Sequence, residues 1–468
     1  MQVNLAGFNT DISQFGHRDK AGLTPETICA AYARISRRPE PIPELRAQAL
    51  MDVAAARSSN ERIVFGLGHA SIAEHAVFNF DVLGVSRLVL EAIEARRLAS
   101  FTEKSQRYVK MTHDYLIPQE VTGTAFEPRF RKVSDDLFIA YGELLEHIAH
   151  HYMETGMAKD QKIARHKARE DARYVLPLAT LAQVGMTVNA RTLEYMIKAL
   201  AASQLKEAQE LSRAVYEPAF EVAPSLIRYI TPSVYDRRIR NADFPVLSMD
   251  NSPEDTDVHL LDYTDNGDLM ILTALIQRVT GSPVTPDRIK TLPKSTLKTW
   301  ILSILQDIRA FDPVPREFEH AVITFQAVIS SSAFAQLKRH RMVSLTPGPY
   351  SPDLGRTIPP VIKDAGAEDV LNRAVDASES AWQAMQPLGR AADYMLTNAA
   401  RRTVIGTMNL REAYHLSRLR MDSHAQWDIR RFSTGLIRQI SDVFPVSGML
   451  LSGKDHFDEI YNRIFSKN

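Results

Sequence analysis

The side chains best equipped for chemistry in this sequence are arginines and a few histidines in short, mixed-polarity runs. Arg339-His340-Arg341 form one triplet, and Arg420 and His424 lie in Leu419-Arg420-Met421-Asp422-Ser423-His424-Ala425-Gln426-Trp427. Arg107 follows Ser105-Gln106 in a polar stretch, and Arg173 stands in Ala172-Arg173-Tyr174-Val175-Leu176-Pro177. A planar guanidinium donates two parallel hydrogen bonds to a phosphate or carboxylate, so such arginines suit an anionic ligand. The backbone N–H groups of Ser105, Gln106 and Arg107 could line a small anion-binding loop. The alternative for each arginine is a solvated surface charge.

Other chemistries find less support. Cys29 is the lone cysteine, so no intrachain disulfide can form, and its place in Glu26-Thr27-Ile28-Cys29-Ala30 reads as a buried helical thiol. His147 and His151 share a helix face at i and i+4, as zinc ligands can, but no clear third ligand accompanies them and no metal is expected. Gly66-Leu67-Gly68-His69 resembles the start of a dinucleotide-binding loop, yet the third glycine and a surrounding βαβ unit are missing. His75 and His320 adjoin apolar strands and read as structural.

The chain that must position these groups has 468 residues, enough for about two to four domains. Its 56 basic and 56 acidic side chains balance, which argues against broad binding to nucleic acid or acidic membranes. No apolar run reaches the length of a membrane span and no signal peptide is evident, so the cytoplasm is expected. Helices are expected over 25–57, interrupted by Arg38-Pro39-Glu40-Pro41-Ile42-Pro43, and over 85–97, 128–157, 160–175 and 189–230. A strand is expected at 76–82 and a polar loop at 98–108. Residues 231–256, rich in Pro, Asp, Asn and Ser, read as a linker. After it come helices over 267–309, a strand at 320–328, a helix ending near Arg341, a polar loop, and helices to the end.

That order repeats. Glu74-His75-Ala76-Val77-Phe78-Asn79-Phe80 returns as Glu319-His320-Ala321-Val322-Ile323-Thr324-Phe325. Arg96-Arg97-Leu98-Ala99-Ser100 returns as His340-Arg341-Met342-Val343-Ser344, and Val188-Asn189-Ala190-Arg191 as Met408-Asn409-Leu410-Arg411. Three blocks in one order mark a tandem duplication, with copies at 1–240 and 241–468.

The blocks resemble the flavin-dependent thymidylate synthases, on the strength of Arg339-His340-Arg341, the upstream His69-Ala70-Ser71-Ile72-Ala73-Glu74-His75, Asn409-Leu410-Arg411, and the run from Leu419 to Trp427. The resemblance implies an α+β fold: two fused copies, each a small twisted, mainly antiparallel sheet flanked by helices. It implies methylation of dUMP at C5 to dTMP, with methylenetetrahydrofolate giving the carbon, FAD carrying the hydride and NADPH reducing it. It implies no cysteine nucleophile, and two chains paired to imitate a family tetramer.

Carried onto this sequence, the resemblance makes Arg420 the group that polarises the uracil ring. Gln336, Arg339, Glu103, Ser105, Gln106, Arg107 and Arg173 would hold the nucleotide. His69, Ser71, Glu103, Arg339, His340, Arg341, Asn409, Arg411 and His424 would hold the flavin. Each copy departs from the pattern differently. The first has Ala95-Arg96-Arg97 for the triplet, Leu200 for the pyrimidine arginine and Gln204 for the following histidine. The second has Val314 where the first has His69, and Asp393 where the first has Arg173. The losses are complementary, so one composite site per chain is expected. A non-catalytic nucleotide- or flavin-binding homologue, and an enzyme modifying C5 of another pyrimidine nucleotide, are the rival readings.

Overall fold

The computed structural model describes residues 1–14, 23–240 and 258–466. It contains two four-stranded antiparallel sheets. The first comprises β1 (Gln2–Phe8), β2 (Val77–Ser86), β3 (Ala99–Glu103) and β4 (Leu181–Asn189), in the order β1-β2-β4-β3. The second comprises β5 (Val258–Tyr263), β6 (Val322–Ser330), β7 (Ser344–Tyr350) and β8 (Arg401–Asn409), in the order β5-β6-β8-β7. Helices flank both, so the α+β fold with one small sheet per copy is what the chain adopts.

Each central strand buries alternate residues, as a pleated strand with one covered face must. Phe78, Phe80 and Val82 of β2 are buried, as are Ile323, Phe325, Ala327 and Ile329 of β6. In the second sheet Phe325 pairs with Gly406 of β8, and a Cβ at 406 would collide with the Phe325 ring. Glycine is required there by close approach. Phe325 also packs on Phe432 of the helix Trp427–Val443, with ring centroids 5.7 Å apart.

The chain forms two compact units, and they do not follow the copies. Unit 1 is Met1–Glu143, Leu176–Leu247 and Asn372–Leu396; unit 2 is Leu144–Val175, Ser248–Leu371 and Thr397–Asn468. Each unit therefore contains one sheet of its own copy plus a segment contributed by the other. Arg173, from the first copy, belongs to unit 2.

Several expectations hold and several are corrected. The helices Glu26–Arg34, Ile42–Met51 and Val53–Asn60 flank the Pro-rich break as read. The supposed polar loops at 98–108 and 342–351 contain β3 and β7. Both are edge strands, where polar residues are tolerated and where Pro347 and Pro349 cost no interior ladder bond. The helix expected to end near Arg341 stops at Leu337, leaving the triplet in the following turn. The long pattern at 189–230 divides into Ala190–Ala201 and Lys206–Val222. Within the expected linker, Val234–Arg240 is a helix, and 241–256 lie outside the described residues.

Candidate active site in unit 2

β6 delivers its chain into the helix Ser331–Leu337, whose N-cap is Ser330: its hydroxyl accepts from Ala333 N at 3.0 Å. The same hydroxyl donates to Asp428 Oδ2 at 2.5 Å. β8 runs into the helix Leu410–Arg420, capped by Asn409, whose Oδ1 accepts from Glu412 N at 2.9 Å. These two helix starts fix the positions of Gln336 and Arg420.

Arg420 is half-buried in the last turn of its helix. Its Nε donates to His340 Nε2 at 2.9 Å and its Nη2 to the Gln336 carbonyl at 3.3 Å. The Gln336 side chain donates to Gln426 Oε1 at 3.2 Å, and Gln426 Nε2 donates to the Tyr174 hydroxyl at 2.8 Å. That hydroxyl donates to Asp428 at 2.9 Å. Trp427 stacks on Tyr174, centroids 5.8 Å apart, and donates to Asp171 at 2.7 Å. Asn398 holds the Arg173 carbonyl at 2.9 Å, and Ala399 N holds that of Tyr174 at 2.9 Å. A continuous hydrogen-bonded path thus leads from Arg420 to the residue beside Arg173, crossing from one copy to the other inside one unit. Gln426 is the N-cap of the helix Trp427–Val443.

Burial pushes the Tyr174 phenol well above its ordinary value, and the neighbouring Asp428 carboxylate adds to this. Tyr174 therefore stays a protonated donor. His340 is also buried, and burial holds its pKa below the usual value even though Glu412 at 2.9 Å favours the charged ring. Desolvation is the larger effect, and the adjacent Arg420 lowers the value further by opposing a second cation.

The predicted residues divide between the units. Unit 2 holds Arg173, Gln336, Arg339, His340, Arg341, Asn409, Arg411, Arg420 and His424, of which Gln336, His340 and Arg420 are in direct contact. Arg339 and Arg341 are exposed, and His340 between them is buried with its ring between Glu412 and Arg420. Arg411 is paired with Glu319 at 2.8 Å and with the Val314 carbonyl at 3.0 Å. His424 is exposed and bonded to Asp422 at 2.8 Å.

Unit 1 holds His69, Ser71, Glu103, Ser105, Gln106 and Arg107. His69 and Ser71 are exposed. Glu103 is buried against Arg87 at 2.6 Å, which explains its carboxylate as an internal ion pair. Arg107 N donates to Ser105 Oγ at 3.2 Å, so that N–H closes the turn locally. Gln106 is buried. Cys29 is buried and its thiol is pushed up to about 12, as an inert structural cysteine requires.

Beside Arg420's helix, Phe311, Pro313, Val314, Met342, Asn409, Arg411, His415 and Leu419 line a cleft of about 360 Å³. A second, open cleft of about 480 Å³ is lined by His147, His150, His151 and Asp364. Among the described residues, the one trio whose donor atoms could meet on a metal ion is His340, Glu412 and His415. No described helix is long and apolar enough to cross a membrane.

Sequence reasoning did not single out Tyr174, Asp428, Ser330 or Glu412. The tandem repeat carried a signal for two of them, Tyr174 and Ser330. Ser86 and Ser330 each follow a strand and cap a helix, and Tyr174 and Tyr394 follow matching positions.

Compared with known proteins, the chain matches the family described as "Thymidylate synthase complementing protein" over residues 21–225 and 259–446. It is 31% identical over 212 residues to a flavin-dependent thymidylate synthase of Clostridium tetani, covering 45% of this chain and 83% of that one. It is 26% identical over 441 residues to a UPF0159 protein of Thermoplasma acidophilum, covering 82% and 86%. Among solved structures, a UMP/dUMP methylase from Streptomyces cacaoi matches with a TM-score of 0.34 and 19% identity, over 42% of this chain and 93% of that one.

Proposed function

Because the chain belongs to the thymidylate synthase complementing protein family, we propose that it methylates C5 of a pyrimidine nucleotide, dUMP, at one site in unit 2. The observation that carries this reading is the path Arg420–Gln336–Gln426–Tyr174, which ties the candidate pyrimidine arginine of the second copy to the Arg173 turn of the first. A guanidinium held at both Nε and Nη2 is fixed in direction before a ligand arrives. Such a preorganised cation stabilises charge developing on a uracil ring and makes C5 more nucleophilic. Arg173 and the exposed Arg339 are the candidates for the nucleotide phosphate.

The residues present fit a flavin. The cleft of about 360 Å³ is lined by the apolar Phe311, Met342 and Leu419 and by the polar Asn409 and Arg411, a size and mix found in small-ligand sites. When bound there, FAD would supply hydride, with NADPH as its reductant and methylenetetrahydrofolate as the one-carbon donor. His424 and Arg341 are further candidates for holding it. The same reading has two chains pair.

The test is release of tritium from C5-labelled dUMP by purified protein given FAD, NADPH and methylenetetrahydrofolate. Turnover supports the reading; absence of turnover in FAD-loaded protein contradicts it. Val314, which stands where the first copy has His69, favours a second reading, a nucleotide-binding protein without turnover. That one predicts dUMP binding with no tritium release.

A further inference from the structure

Arg420 does not hold its direction alone. Its Nε–H points at His340 Nε2 at 2.9 Å, and His340 Nδ1 lies 2.9 Å from Glu412 Oε1. Arginine has no acceptor, so Nε2 of His340 must accept and carries no proton. The imidazole proton is therefore on Nδ1, and Glu412 accepts it. Glu412 and His340 are both buried, with side chains 8% and 1% exposed, so water does not compete for either bond.

The other unit supplies an internal control. At the positions matching Glu412, His340 and Arg420, unit 1 has Thr192, Arg96 and Leu200. Its helix start is otherwise built the same way, with Asn189 capping Thr192 N at 2.8 Å as Asn409 caps Glu412 N. Arg191 pairs with Glu74 just as Arg411 pairs with Glu319. Capping and ion pairing thus persist without the relay. In unit 1 Arg96 lies instead over the Tyr195 ring, 4.7 Å from its centroid. Glu412, His340 and Arg420 are absent together where the pyrimidine arginine is absent.

We propose that Glu412 is a positioning residue: it fixes the Nδ1–H tautomer of His340, which in turn presents an acceptor to Arg420 and aims its guanidinium. This rests on the reading of Arg420 as the pyrimidine-binding group. His340 and Glu412, taken with His415 instead of Arg420, have metal-ligand composition, but the Arg420 donor occupies the ring nitrogen that a metal-bound histidine uses to donate outward. The relay and a metal ion are mutually exclusive.

The test uses the full chain with ¹⁵N-labelled histidine and three proteins: wild type, Glu412→Gln and Glu412→Ala. His340 is assigned by its disappearance in His340→Gln. Wild type should show a neutral Nδ1–H ring. Glu412→Gln, whose amide oxygen still accepts, should keep that tautomer and stay within about threefold of wild-type kcat. Glu412→Ala should populate the Nε2–H form, lose about ten- to a hundredfold in kcat and change KM for dUMP much less. A merely structural role would leave the tautomer unmoved. An unchanged tautomer and rate in Glu412→Ala overturn the proposal, as does stoichiometric Zn²⁺ binding to wild type that His415→Ala abolishes. Inactive wild type whose tautomer still switches in Glu412→Ala removes the proposed reaction and leaves the relay standing.

Discussion

Units 1 and 2 share a framework and differ in what it carries. In unit 2, Ser330 and Tyr174 both donate to Asp428. In unit 1, Ser86 and Tyr394 both donate to Glu207, at 2.6 and 2.7 Å. The serine, the acid and the tyrosine of the contributed segment recur in both, so this triad builds the unit. It does not by itself make a site. What unit 2 adds is Arg173, Gln336 and Arg420. Unit 1 has Asp393, Ala92 and Leu200 there. Asp393 accepts a hydrogen bond from Trp382 at 3.1 Å and forms an ion pair with Arg390 at 3.0 Å, and Leu200 is buried with the core. A duplicated scaffold can thus keep its bracing in both halves while one half has an acid and an apolar residue where the other has arginines.

The comparison can be broken first at the chemistry. Arg420→Ala should lower kcat/KM for dUMP by about a hundred- to a thousandfold, the scale for removing one preorganised charge-stabilising donor. Leu200→Met, at the matching position, should change it less than about twofold. Steady-state tritium release measures both. Similar losses in the two variants would erase the functional distinction between units.

The shared triad gives a smaller and symmetric effect. Tyr174→Phe removes the phenol that donates to Asp428 and accepts from Gln426. Tyr394→Phe removes the donor to Glu207. Each should cost about 1–3 kcal/mol, as expected when a buried polar group loses its partner. Denaturant midpoints report this, and only Tyr174→Phe should also lower activity. A loss of activity from Tyr394→Phe alone would reverse the assignment.

Smallest is a pH effect confined to unit 2. Burial lowers the His340 pKa, so the folded chain binds fewer protons there than the unfolded one. Stability from this group is full above the ordinary histidine value of about 6.5 and falls as pH drops below it. Urea midpoints at pH 7.5 and 5.5 should therefore differ less for His340→Gln than for wild type. An equal difference would mean His340 titrates normally.

Much of this was legible from sequence because duplication supplies its own control. The repeated blocks located β2 and β6 and both helix starts at Asn189 and Asn409, and the family resemblance located the complementary differences at Leu200 and Asp393. β4 was readable too, since Ala182, Val184, Met186 and Val188 alternate with Gln183, Gly185 and Thr187. The long helical patterns on either side obscured it. β3 and β7 were not legible, because edge strands are set by backbone pairing and tolerate loop-like composition. The inward turn of His340 was hidden for another reason. A triplet in sequence does not say which members face solvent, and the burial of this ring depends on Glu412, seventy-two residues away. The exchange of segments between units was likewise invisible, since local patterns carry no information about which sheet a helix joins.

The most direct measurement is the number of dUMP molecules bound per chain at saturation, by equilibrium dialysis of wild type and Arg173→Ala. One site in unit 2 built from both copies predicts one nucleotide per wild-type chain and a large loss of binding in Arg173→Ala. Two nucleotides per chain, or undiminished binding without Arg173, would contradict it.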